Sequence, residues 1–159
     1  MILDREEFQS EIKTIQCSSG HAEISGWPVT VVDTPGWSLF GLANPEQVRS
    51  EIIQSPSLCP AWSEVRFLLA VPIGSFREKD RGAVETYLSV LGDHVWSSTI
   101  VLFTYKDALR GRTIENYIKK KGEPLQWVLD RCDYRHYVFD TCTGSKTQVN
   151  QLLERVEKL

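Results

Sequence analysis

The 159-residue sequence predicts an α/β fold, a mostly parallel sheet covered by helices on both faces. Two observations predict it. Short β-branched runs, apolar on both faces, recur along the chain, as they do in buried parallel strands. Amphipathic stretches at helical spacing separate them, which is the βαβ pattern, with right-handed crossovers expected.

The first run is Pro28-Val29-Thr30-Val31-Val32, ending at Asp33. The second is Val65 to Val71, the third Thr99 to Phe103 and the fourth His136 to Phe139. Between the first two, 45–54 reads as a helix with Val48, Ile52 and Ile53 inward. Ser75 followed by Glu78 reads as a capping box, and Val84, Tyr87, Leu88 and Leu91 then repeat at helical spacing before Gly92. The stretch 113–131 reads as two short helices broken near Gly122 and Pro124. The last helix carries Val149, Leu152, Leu153 and Val156 on one face.

Composition fits one soluble domain spanning 1–159, with 42% hydrophobic and 25% charged residues. A net charge of −3 offers no field for nucleic acid or an anionic membrane. The single basic run, Lys119-Lys120-Lys121, reads as a solvated helix end. The four cysteines, Cys17, Cys59, Cys132 and Cys142, lack zinc or redox spacing. Cys132, His136 and Cys142 form a poor metal trio without a fourth ligand, so free thiols in a reducing cytosol are expected. No apolar stretch reaches transmembrane length and no signal peptide opens the chain, so a cytoplasmic setting is expected. His21, His94 and His136 lie in separate segments, and no nucleophile elbow appears.

In such sheets ligands sit beyond the carboxyl ends of the strands, so the loops from Asp33, Thr104 and Asp140 carry the candidates. Asp33-Thr34-Pro35-Gly36 has the D-x-x-G pattern of nucleotide hydrolases. The aspartate at the strand end suits magnesium, and the glycine lets a backbone N–H reach a terminal phosphate. A Pro-Gly turn leaving a strand is the plain alternative. In Thr104-Tyr105-Lys106-Asp107-Ala108, a lysine stem can lie along a purine base while Asp107 accepts from guanine N–H groups. Gly144-Ser145-Lys146-Thr147 resembles the end of a phosphate-binding loop but lacks its glycines, and reads as a helix start. No G-x-x-x-x-G-K-[ST] occurs anywhere in the chain.

Val31 to Gly36, Ser57-Leu58-Cys59-Pro60, Leu68 to Val71, Thr99 to Thr104 and Thr147-Gln148-Val149 appear in that order. With the stretch from Thr113 to Trp127, they resemble the GIMAP (immunity-associated) GTPases, particularly the fish-type group, over nearly the whole chain. The resemblance implies a Ras-like three-layer G domain, GTP/GDP and Mg2+ binding, self-association through the nucleotide face, and a role in immunity. It implies Thr14 and Asp33 as magnesium ligands, Gly36 at the phosphate, Lys106 under the base, and Asp140-Thr141 where the family carries paired asparagines near the base. Three departures accompany it. The phosphate-binding loop is expected roughly ten residues upstream of Met1, together with a first strand that would lie between the Pro28–Val32 and Val65–Val71 strands. The position of the guanine-reading carboxylate falls on Ala108, one beyond Asp107. Trp37 stands where a water-orienting glutamine is expected. The resemblance thus implies a GTP-binding domain, truncated at its N-terminus and weakly active alone, or a degenerate relative serving as an interaction or assembly module.

Overall fold

The computed structural model describes residues 16–36, 44–142 and 145–159. Its architecture is α/β in three layers. Strands β1 (Ser18–Ile24) and β2 (Trp27–Asp33) form an antiparallel hairpin, and β3 (Phe67–Pro72), β4 (Thr99–Thr104) and β5 (His136–Val138) form a parallel sheet in that order.

The parallel sheet is held by two cores. Successive β-residues point to opposite faces. Val101 and Phe103 of β4 face one core with Leu69 and Val71 of β3. Helices α2 (Glu78–Leu88), α3 (Ile114–Lys121) and α4 (Glu123–Arg131) close that core with Val84, Leu88, Leu125 and Leu129. Leu102 and Phe139 face the second, closed by Val149 and Leu152 of α5 (Lys146–Glu157). Strand β4 is therefore covered on both faces, which is why its run is apolar throughout. Strand β3 is not. Leu68, Ala70 and Pro72 are exposed while Leu69 and Val71 are buried, so the expectation of burial on both faces fails there.

The hairpin differs from expectation too. Among the described residues Pro28–Val32 is not hydrogen-bonded into the main sheet; it pairs antiparallel with β1, whose residues sequence reasoning left unassigned. The link is Ser25-Gly26, with φ of +52° and +85°, the backbone of a type I′ turn that matches the twist of the two strands. Glycine adopts this geometry at no steric cost, whereas Ser25 does so under mild strain. The hairpin is fixed at both ends. Its tip reaches α5, where the Ser25 hydroxyl donates to Asn150 Oδ1 at 2.8 Å and Ile24 packs on the second core. At its base, the Cys17 N–H donates to Glu51 Oε2 at 2.7 Å and the thiol donates to the Glu51 carbonyl at 3.3 Å, tying it to α1 (Pro45–Gln54).

Among the described residues no pairing joins β2 to β3. The break falls between the two strands expected to flank a central one.

Helix α1 begins where Asn44 caps it, its side chain accepting from the Glu46 amide at 2.9 Å. Val48 and Ile52 are buried, but Ile53 points outward at 49% exposure, a correction to the inward face drawn from spacing. The Ser75–Glu78 capping box is also corrected. The helix starts two residues later, with Asp80 accepting from the Arg77 amide at 2.9 Å. Phe76 is buried just ahead of it and fixes that entry. Leu91 lies beyond α2 in a 3-10 turn ending at Gly92. The break between α3 and α4 falls at Gly122, whose φ of +73° favours glycine.

Candidate functional site

Strands β4 and β5 end side by side, and their loops meet. After β4, the chain turns through Tyr105 into a 3-10 turn, Lys106–Leu109. Tyr105 and Arg110, which flank the turn, hold left-handed φ of +59° and +50°, a conformation unfavourable for side chains with a Cβ. Leu109 anchors the turn in the first core, leaving Lys106 and Asp107 exposed above it.

After β5, Phe139 continues the ladder by donating its N–H to the Phe103 carbonyl at 2.7 Å. Asp140 follows and turns the chain on itself, its Oδ1 accepting from the Cys142 amide at 3.0 Å. Gln148, in the first turn of α5, holds this loop from the other side. Its Oε1 accepts from the Asp140 N–H at 2.8 Å, and its Nε2 donates to the Asp140 carbonyl at 3.4 Å.

The two loops touch through the Cys142 thiol, which donates to Asp107 Oδ2 at 3.3 Å. Ligand-type atoms of Asp107, Asp140 and Cys142 all lie within 4.8 Å of one another, the one such group of three among the described residues. The Asp107 carboxylate accepting its hydrogen raises the Cys142 pKa, so the thiol keeps its proton at neutral pH. With that proton in place, the corner is suited to accept hydrogen bonds from N–H donors through its two carboxylates. The alternative trio of Cys132, His136 and Cys142 does not form a ligand group: Cys132 is fully buried under α4, whereas Cys142 is exposed.

The other sequence-predicted residues fall elsewhere. Asp33 ends β2, paired with Ser18, in the hairpin rather than the parallel sheet. It helps raise the Cys17 pKa to about 11, after burial and the Glu51 contacts. Gly36 is exposed, and a Cβ there would meet nothing within 4 Å. Thr14, Trp37 and Gly144 lie outside the described residues. Ser145 caps α5, its hydroxyl accepting from the Gln148 amide at 3.4 Å, so this segment is a helix start as expected. Ala108 is partly buried against the first core. The structure thus brings Asp107 and Asp140 together and adds Cys142 and Gln148 beside them, while Lys106 sits exposed in the same turn as Asp107; the sequence offered Cys142 only within the poor metal trio and gave Gln148 no site role.

The AIG1 family model matches residues 1–159. The chain belongs to the AIG1 family. It is similar to mouse GTPase IMAP family member 8, with 28% identity over 156 residues, 96% of this chain and 22% of that protein. The human protein of the same name is 30% identical over 157 residues, 95% of this chain and 23% of that protein. In Arabidopsis thaliana, Immune-associated nucleotide-binding protein 13 is 27% identical over 169 residues, covering 99% of this chain and 50% of that protein. This AIG1 chain therefore spans less than a quarter of the length of the mammalian relatives and half that of the plant one. No helix among its described residues is long and apolar enough to cross a membrane.

Proposed function

We propose that this chain forms the base-recognition side of a guanine-nucleotide-binding domain. The observation that supports it is the meeting of Asp107 and Asp140 beyond the carboxyl ends of two adjacent parallel strands, where α/β sheets bind ligands. The exposed Asp107 and half-buried Asp140 carboxylates accept from the N–H groups of guanine, and the Lys106 stem lies along the base. The Cys142 thiol donates to one Asp107 oxygen and leaves the other to accept from a ligand. Asp33 and Thr14 are the proposed magnesium ligands and Gly36 the phosphate contact, with magnesium to neutralise charge on the phosphates when bound.

The fit is uneven. The base corner offers clustered hydrogen-bond acceptors. The phosphate side offers no G-x-x-x-x-G-K-[ST] in these 159 residues. No hydrolytic step is assigned. The 159 residues alone are expected to bind GTP negligibly and not to turn it over. Micromolar binding of a fluorescent GTP analogue to them would overturn this reading. In a longer chain carrying a phosphate-binding loop, Asp33→Ala or Thr14→Ala should weaken the triphosphate more than the diphosphate, and equal weakening would count against the magnesium roles.

A second reading is a non-enzymatic interaction or assembly module in cytoplasmic immunity, self-associating through the nucleotide face. Ala108 and Asp140-Thr141 favour it, because they depart from the guanine-reading pattern independently of the phosphate side. Guanosine and adenosine analogues bound equally well by the longer chain would support this reading over the first.

A further inference from the structure

A concavity opens beside the 3-10 turn, at Ala108. It is a cleft of about 250 Å³ between the end of β3 and the C-terminal half of α3, and its lining includes Arg112, Lys120 and Lys121. Among the described residues none of these three cations is in a salt bridge, in contrast to Arg66, Arg81 and Arg135. The cleft has a built wall. Tyr117 is 4% exposed, its hydroxyl accepts from the Gly74 N–H at 3.1 Å, and Lys121 Nζ lies 5.4 Å from its ring centroid. Arg112 is fixed too: its Nε donates to the Leu109 carbonyl at 3.0 Å, which leaves the terminal guanidinium nitrogens for an external acceptor. The remaining wall includes Ala108 and Gly74, which carry no charge. A carboxylate at position 108 would neutralise part of the field; alanine leaves it wholly positive.

We propose that this cleft binds a small soluble organic phosphate of at least two negative charges, such as a diphosphate. Three converging cations exceed what one carboxylate needs, and fixed N–H donors suit phosphate oxygens. The cleft is small, and the chain's net charge of −3 supplies no extended basic surface, so a small anion fits better than a nucleic acid or a membrane. The Lys119–Lys121 run then divides: Lys120 and Lys121 line the cleft, whereas Lys119 does not.

The test is titration of the 159-residue chain with inorganic pyrophosphate, without magnesium, by isothermal calorimetry. Saturable one-to-one binding is expected in the millimolar range, weaker than the micromolar nucleotide binding that would overturn the proposed function. Lys120→Glu and Ala108→Asp should each weaken it about tenfold or more, the scale of one lost charge-assisted contact. Lys119→Glu makes the same change in net charge one residue away and should leave affinity within about twofold. Lys120→Gln, at an exposed position, serves if either charged variant fails to fold. Asp107→Ala should leave pyrophosphate binding unchanged, which separates this cleft from the proposed nucleotide corner. Absence of saturation, or equal weakening by Lys119→Glu and Lys120→Glu, would sink the proposal.

Discussion

Replacing Gln148 with alanine removes the side chain that holds the β5–α5 loop from both sides. The 2.8 Å bond from the Asp140 N–H is short and partly buried, and such a bond contributes about 1 kcal/mol net. The 3.4 Å contact to the Asp140 carbonyl is at the limit of hydrogen bonding and adds little. A loss of about 1 kcal/mol corresponds to roughly fivefold faster exchange of the Asp140 amide if opening is local. If the loss is global, the melting temperature should fall by about 2–4 °C for a domain of this size. Amide exchange by nuclear magnetic resonance and thermal melts by circular dichroism measure the two. Gln148→Glu keeps the acceptor for the Asp140 N–H but loses the donor, and should preserve Asp140 protection better than alanine. If the Asp140 amide exchanges at the same rate in wild type and Gln148→Ala, with no change in melting, the loop is held by the Phe139 ladder and the second core instead, and the positioning role of Gln148 is wrong.

Other expectations concern the frame. Leu125 is fully buried between α4 and the sheet, so Leu125→Ala should cost about 2–5 kcal/mol, read from urea unfolding; a smaller loss would mean the first core is loosely packed. Gly82, in the middle of α2, has open space at its Cβ position, and Gly82→Ala should stabilise the chain by about 0.5–1 kcal/mol. Gly26→Ala should destabilise by about 1 kcal/mol, because the strain lies in its positive φ and not in crowding; equal melting temperatures for the two alanine variants would contradict both. Burial pushes the Cys132 thiol up to about 11, against an ordinary value of 9.0. Below pH 9 both folded and unfolded thiols are protonated and the contribution is fully present; between pH 9 and 11 the unfolded chain loses this proton first, so stability falls as pH rises. The urea midpoint should drop across that window, less so in Cys132→Val, and a midpoint flat to pH 11 would refute the assignment.

Much of this was legible in the sequence because local rules decided it. Asn44 and Pro45 set the start of α1, Gly122 separates α3 from α4, and β4 declares itself by burial on both faces. What escaped depended on partners distant in sequence. The strand β1 carries Gly20, His21 and Glu23 and has little apolar alternation; the Ser25-Gly26 dipeptide was its clearest trace, as the turn of a hairpin. Ile53 follows Ile52 directly and lies five residues after Val48, so it falls off the face those two share and is 49% exposed. Asp107 and Cys142 are 35 residues apart, and only the parallel register of β4 and β5 brings their loops together. The turn of Asp140 onto the Cys142 amide is a local rule that sequence reading can apply, whereas the Gln148 tether requires α5 to be docked first.

The outer edge of β3 has a further consequence. Among the described residues its backbone N–H and C=O groups on that side meet no other strand. The segment Phe67-Leu68-Leu69-Ala70-Val71-Pro72 carries no charge, and Leu68 is 37% exposed. An uncharged apolar edge is a template on which another copy can lay down a strand, and proteins ordinarily guard such edges with lysine, a bulge or a cover. Among the described residues the one guard is Pro72, which stops the ladder at its carboxyl end. Whatever covers this edge therefore acts as a solubility device as much as a structural one. The uncovered chain should aggregate at concentrations where a lysine at position 68 keeps it dispersed.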